Sequence, residues 1–164
     1  MASALHFIAV LCLTSGLWIG ANARPDSDHC CDTCRTCPSG WTQFDDHCYM
    51  FNHDQKDWAD AEIACIALGG NLASIPNKDV YDFLIKTIQA ATDEHRRTWV
   101  GGHDTAKEGV WLWTDGTKFD FKLWRRGEPN NTGRSEHCME LNYLGAPNDL
   151  SCDPKKSFVC GKCL

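Results

Sequence analysis

Eleven cysteines in a chain of 164 residues constrain the fold more than any other feature. A reducing cytosol would keep them as thiols, so their density points to an oxidising, extracellular setting and to a disulfide-stapled domain. The first residues agree with that setting. Leu5 to Ile19 is mostly apolar, and Ala21-Asn22-Ala23 forms a small-x-small cleavage signal ahead of Arg24. Residues 1–23 therefore read as the cleaved signal peptide of a secreted protein. The apolar run is short beside the roughly 20 residues a spanning helix needs, so no membrane insertion is expected. Cleavage would remove Cys12 and leave ten cysteines, an even number.

Residues 24–36 form a short polar lead carrying Cys30, Cys31 and Cys34. The run Cys31-x-x-Cys34-x-x-Cys37 has the spacing of a metal or iron–sulfur motif, but outside the cell disulfides are the expected fate of these thiols. From Cys37 onward the chain reads as one globular domain, residues 37–164. Its balance is acidic, with 22 Asp and Glu against 16 Lys and Arg and a net charge of −6. Nucleic acid is excluded as a partner, since binding it needs a basic face.

Glu128 to Asp153 carries the chemistry. It reads Glu128-Pro129-Asn130-Asn131, then Glu136-His137-Cys138, then Asn148-Asp149-Leu150-Ser151-Cys152. Three carboxylates (Glu128, Glu136, Asp149) and two amides (Asn130, Asn148) crowd into a span that two cysteines could staple into one loop. Such hard oxygen donors suit Ca²⁺, which takes roughly six to eight oxygens in a flexible shell. A carboxylate only accepts hydrogen bonds, whereas an amide NH₂ donates them. Two acid–amide pairs, Glu128 with Asn130 and Glu136 with Asn148, could thus grip two neighbouring hydroxyls of a sugar lying on the ion.

At these residues the sequence resembles the carbohydrate-recognition domain of C-type lectins, the Ca²⁺-dependent sugar binders. Glu-Pro-Asn is the triplet of members that prefer mannose-type sugars, while galactose-preferring members usually carry Gln-Pro-Asp. The resemblance implies that Glu128, Asn130, Glu136, Asn148 and Asp149 hold the principal Ca²⁺ and the sugar. It implies a second Ca²⁺ at Asp104, Glu108 and Asn131, shared with Glu136, and weakened because Asn131 stands where many members have Asp. It also implies three disulfides, Cys37–Cys48, Cys65–Cys160 and Cys138–Cys152, the first marking the long form of the domain. Pro147 stands where the family usually has Trp, a departure that touches the loop's shape more than its ligands.

The rest of the chain fits an α+β fold, two helices flanking small antiparallel sheets with a long irregular lobe for the ion. Asp57 to Leu68 puts Trp58, Ala61, Cys65 and Leu68 on one helical face and stops at Gly69-Gly70. Asn77 is the expected N-cap of a second helix, along which Val80, Phe83, Leu84, Thr87, Ile88 and Ala91 recur at helical spacing. Thr98 to Gly102, Trp111 to Gly116, Cys138 to Tyr143 and Ser157 to Gly161 read as strand segments. Most of the seven tryptophans match family positions that fill the core.

Enzymes are the first rival class, and the sequence has no His-Glu-x-x-His, Gly-x-Ser-x-Gly or phosphate-cradling glycine loop. The second rival is a lectin-like module that binds protein or mineral without sugar; such members typically lose the ligand residues kept here. Glycans on cell or microbial surfaces are the expected partners, with weak single sites made useful by multivalency. A disulfide-linked homodimer through Cys30, Cys31 or Cys34 would supply it, while Cys34 pairing internally with Cys30 or Cys31 would leave a monomer. Asn130-Asn131-Thr132 is also an N-glycosylation sequon, but a glycan on a ligand would block the ion, so Asn130 is expected unmodified.

Overall fold

The computed structural model describes residues 36–164. The expected signal peptide and the lead cysteines Cys30, Cys31 and Cys34 lie outside them. Both helices start where a side chain satisfies a free backbone donor. Asp57 Oδ1 accepts from Asp60 N at 2.9 Å ahead of α1 (Trp58–Ala67), and Asn77 Oδ1 accepts from Val80 N at 2.9 Å ahead of α2 (Lys78–Thr92). Trp58, Ala61 and Cys65 are the buried face of α1, and Val80, Leu84 and Ile88 that of α2. Leu68, expected on the first face, instead caps the helix and is 42 % exposed. Gly69 follows at φ 79°, a left-handed stop that costs glycine nothing.

The strands are β1 (Thr42–Phe44), β2 (His47–Lys56), β3 (Asn71–Leu72), β4 (Thr98–His103), β5 (Leu112–Trp113), β6 (Cys138–Tyr143), β7 (Ala146–Leu150) and β8 (Lys156–Cys163). They join in one sheet ordered β1-β2-β8-β4-β6-β7, with β3 on β8 and β5 on β4. Small antiparallel sheets were expected, yet β8 runs antiparallel to β2 and parallel to β4, with Trp99 opposite Phe158. A parallel pair needs a long crossover, and the connection from β4 to β8, which carries the whole irregular lobe, provides it.

The three expected disulfides are present, with Cα separations of 5.6 Å for Cys37–Cys48, 5.3 Å for Cys65–Cys160 and 5.2 Å for Cys138–Cys152. Cys163 is also disulfide-bonded. Trp58, Trp99 and Trp113 are buried, as a core role requires. Gly101 shows why the β4 run needs glycine: a Cβ there would sit 2.5 Å from Leu72 O and 2.7 Å from Thr114 Oγ1. Between β5 and β6 the only regular element is a 3₁₀ turn, Thr132–Arg134. Aromatic packing supports that stretch, with Trp113–Phe119 and Trp111–Trp124 ring centroids 4.6 Å apart in each pair. Among the described residues no helix is long and apolar enough to cross a membrane.

Candidate functional site

Asn148 and Asp149 lie on a strand, not on a loop. Ala-Pro-Asn-Asp has turn composition, but β7 ends the sheet, and an edge strand tolerates a proline that cannot donate to the ladder. Glu140 stands opposite Asn148, Met139 opposite Asp149, and Cys138–Cys152 closes the open end of this hairpin. Asp149 is buried, and its carboxylate accepts Asn130 N at 3.0 Å and Asn131 N at 2.7 Å. One acid thereby fastens the Glu-Pro-Asn segment onto β7. The Glu128–Pro129 peptide is cis. Glu128 N donates to Arg125 O at 2.9 Å, and Arg125 N donates to Pro147 O at 3.0 Å, so the segment is tied to β7 twice.

Glu128, Glu136 and Asp149 then lie near enough to feel one another's charge, with little cationic relief. Glu128 has one oxygen, Oε1, 3.4 Å from Arg125 Nη1, while its Oε2 is buried without a hydrogen-bond partner. Burial holds the Glu128 carboxyl above its ordinary range, and the charges on Asp149 and Glu136 push it the same way, against Arg125. The Glu136 carboxyl is raised too, first by burial and then by Asp149, although Thr132 N donates to its Oε2 at 2.9 Å and opposes the shift. An orphaned carboxylate oxygen beside two other acids is a poor arrangement for a protein alone and a fitting one for a hard divalent cation. On that test the residues fit Ca²⁺.

The structure brings Glu128, Asn130, Glu136, Asn148 and Asp149 to one place, but engages their amides differently from the expected pairs. Asn148 Nδ2 donates to Glu140 Oε1 at 3.1 Å and to Asp149 O, so both of its donors are taken within the protein. Its oxygen is left for an ion. Asn130 Oδ1 accepts from Thr132 Oγ1, the hydroxyl of its own sequon. Glu140 was missed from the sequence. It is fully buried, accepts Arg97 Nε at 2.8 Å, lies 3.2 Å from Lys156 Nζ, and orients Asn148 from behind. The signal was available, because a lone acid in the middle of Cys-Met-Glu-Leu-Asn-Tyr is out of character for a strand buried on both faces.

Behind the principal site, Asp104 and Glu108 come together as expected, and His137 joins them. Asn131 turns its Oδ1 to Glu136 N at 3.0 Å and its NH₂ to Glu108.

Comparison with known proteins agrees with this architecture. Residues 54–162 match the Lectin C-type domain family. The Galactose-specific lectin nattectin of Thalassophryne nattereri is 44 % identical over 165 aligned positions, covering 100 % of both chains. The C-type carbohydrate-recognition domain of cow CD23, solved in the presence of a GlcNAc2Man3 oligosaccharide, superposes with a TM-score of 0.72 at 35 % identity, covering 80 % of this chain and 98 % of that one. Herring Type II Antifreeze Protein gives the same TM-score, 0.72, at 33 % identity, covering 78 % and 99 %. The chain therefore belongs to the C-type lectin domain family.

Proposed function

We propose that the protein is a secreted, Ca²⁺-dependent lectin for mannose-type sugars, namely mannose, fucose and N-acetylglucosamine. The chain belongs to a family of binding modules and not of enzymes, which removes the catalytic reading. One observation carries the proposal: the buried, partnerless Oε2 of Glu128, set beside Asp149 and Glu136. Glu128, Asn130, Glu136, Asn148 and Asp149 would hold the ion. Ca²⁺ would supply an electrophilic seat for two adjacent hydroxyls of a neutral sugar. The protein's share is orientation, with Glu128 as acceptor and the Asn130 NH₂ as donor on opposite sides of one hydroxyl. On the second hydroxyl Glu136 would accept, while the Asn148 NH₂ is engaged with Glu140 and Asp149 O. That side offers fewer donors, consistent with weak single-site binding and a role on multivalent glycans of cell or microbial surfaces.

Nattectin, 44 % identical, is named for galactose, and that observation favours a second reading. Against it stands Glu128-Pro129-Asn130 where galactose binders of the family usually have Gln-Pro-Asp. Chromatography on immobilised mannose in Ca²⁺ decides. Retention released by chelator and by free mannose, but not by galactose, is expected. Elution by galactose alone would overturn the sugar assignment, and no retention on either sugar would favour a protein- or mineral-binding module.

A further inference from the structure

The principal site does not account for the group behind it. Asp104 follows β4, Glu108 lies on the loop beyond it, and His137 precedes β6. One ligand atom from each lies within 4.8 Å of the other two. His137 Nδ1 is 2.9 Å from Asp104 Oδ1 and 3.6 Å from Glu108 Oε2. Backbone groups aim these side chains. Asp104 is 2 % exposed, its second oxygen accepts Gly109 N at 2.8 Å, and its own N–H donates to His137 O at 3.1 Å. The acid and the imidazole are thus held face to face by the chain on both sides.

The donor set is not the all-oxygen shell that Ca²⁺ requires. Asn131 turns its NH₂ to Glu108 and its oxygen to Glu136 N, so the group it presents to the cluster is a hydrogen-bond donor and not a metal ligand. Glu136 is not among the groups whose ligand atoms lie within 4.8 Å of one another. What remains is two carboxylates and one imidazole nitrogen, with Glu108 open to solvent. Ca²⁺ is held by oxygen ligands, and an imidazole nitrogen is not among them. The three donors do match a tetrahedral site with three protein ligands and one open position, which Zn²⁺ takes with bonds of about 2.0–2.2 Å. Bonds of that length separate neighbouring ligands by about 3.4 Å, and the spacings of 2.9 and 3.6 Å bracket it.

We propose that Asp104, Glu108 and His137 form a binding site for a borderline divalent transition metal, tested first as Zn²⁺, which prefers that metal to Ca²⁺. The ion would pin the loop after β4 to the start of β6, next to Glu136. The inference stands on these three residues and does not depend on which sugar, if any, the principal site binds.

The test uses the full secreted, oxidised protein, dialysed to remove metals and saturated with Ca²⁺ in millimolar excess. Isothermal titration with Zn²⁺, with metal content read by mass spectrometry, is expected to find one Zn²⁺ per chain above any background binding. That one equivalent should weaken at least 100-fold in His137→Ala. In His137→Asp it should disappear, with one additional Ca²⁺ bound in its place. Glu108→Gln, a change at an exposed side chain that leaves the core untouched, should weaken Zn²⁺ at least tenfold and serves if the His137 variants fail to fold. Co²⁺ in place of Zn²⁺ should give the visible absorption of a tetrahedral centre. Equal Zn²⁺ content in the unaltered protein and in Glu108→Gln or His137→Ala, or displacement of Zn²⁺ by millimolar Ca²⁺, would overturn the proposal.

Discussion

Replacing Glu128 by Gln gives opposite signs with and without the ion. In the ion-free protein the Glu128 side chain is 5 % exposed, its Oε2 lacks a partner, and Arg125 lies 3.4 Å from the other oxygen. Losing that half-exposed ion pair costs about 0–1 kcal/mol. Removing the charge relieves an unsatisfied buried acceptor, an effect of about 1–3 kcal/mol, and also its repulsion with Asp149. Relief wins, so the ion-free Glu128→Gln protein should be as stable as the parent or up to about 2 kcal/mol more so. With Ca²⁺ at 100 times its dissociation constant, the parent should gain about 2.7 kcal/mol by mass action. Even outer-shell changes weaken metal sites by about 10–100-fold, so losing a charged ligand should cost at least the upper figure. A variant binding 100-fold more weakly gains only about 0.4 kcal/mol under the same conditions. Urea unfolding in chelator and in Ca²⁺ measures both increments. The reasoning fails if the variant keeps the full Ca²⁺ increment, or if it is more than about 1 kcal/mol less stable than the parent in chelator.

Two further outcomes follow from neighbouring residues. Glu140→Ala breaks a buried pair, which costs about 3–5 kcal/mol. Because Arg97 is 40 % exposed and part of its share is screened, we expect about 2–4 kcal/mol in denaturant unfolding, with Ca²⁺ affinity about tenfold weaker as Asn148 loses its anchor; unchanged Ca²⁺ affinity would show that Glu140 orients nothing. The raised Glu128 and Glu136 carboxyls set a pH dependence. Between the ordinary carboxyl pKa and the raised folded one, the folded protein binds more protons than the unfolded chain, so ion-free stability falls as pH rises through that window. Ca²⁺ competes with the same protons, so the melting-temperature increment from Ca²⁺ should grow over it, and an increment flat from about pH 4 to about pH 7 would contradict this.

Much of the fold was legible because its signals are local. Asn77 caps α2 as expected, and Trp99 and Val100 fill the core where the β-type run placed them. The proposed ligand set was read from residue types alone, since five hard oxygen donors crowded into one stretch suit little besides a hard cation. What escaped lay in long-range pairing. β7 hid behind Pro147, because turn composition outweighs strand propensity until an edge position makes the proline harmless. The parallel β4–β8 pair joins segments separated by the whole lobe, and no periodicity marks such a pairing. His137 was missed for the same reason, since its partner Asp104 is 33 positions away; Glu140 stood out as a lone acid in its strand, but its partner Arg97 is 43 positions away. The second Asn148 donor was misassigned because the direction an amide faces is set by its cross-strand neighbour, not by its own sequence.

Pro147 also bears on how copies of this protein can meet. A sheet that ends in a free strand is open to extension by another chain's backbone. Here the outermost strand offers little to such a visitor. Pro147 has no N–H, its carbonyl is taken by Arg125 N at 3.0 Å, and the Asp149 carbonyl is taken by the Asn148 amide. The opposite margin is β1, only three residues long. Both margins of the sheet are therefore blunted, and crowding the domain at high concentration, as on a densely glycosylated surface, does not invite strand-to-strand polymerisation.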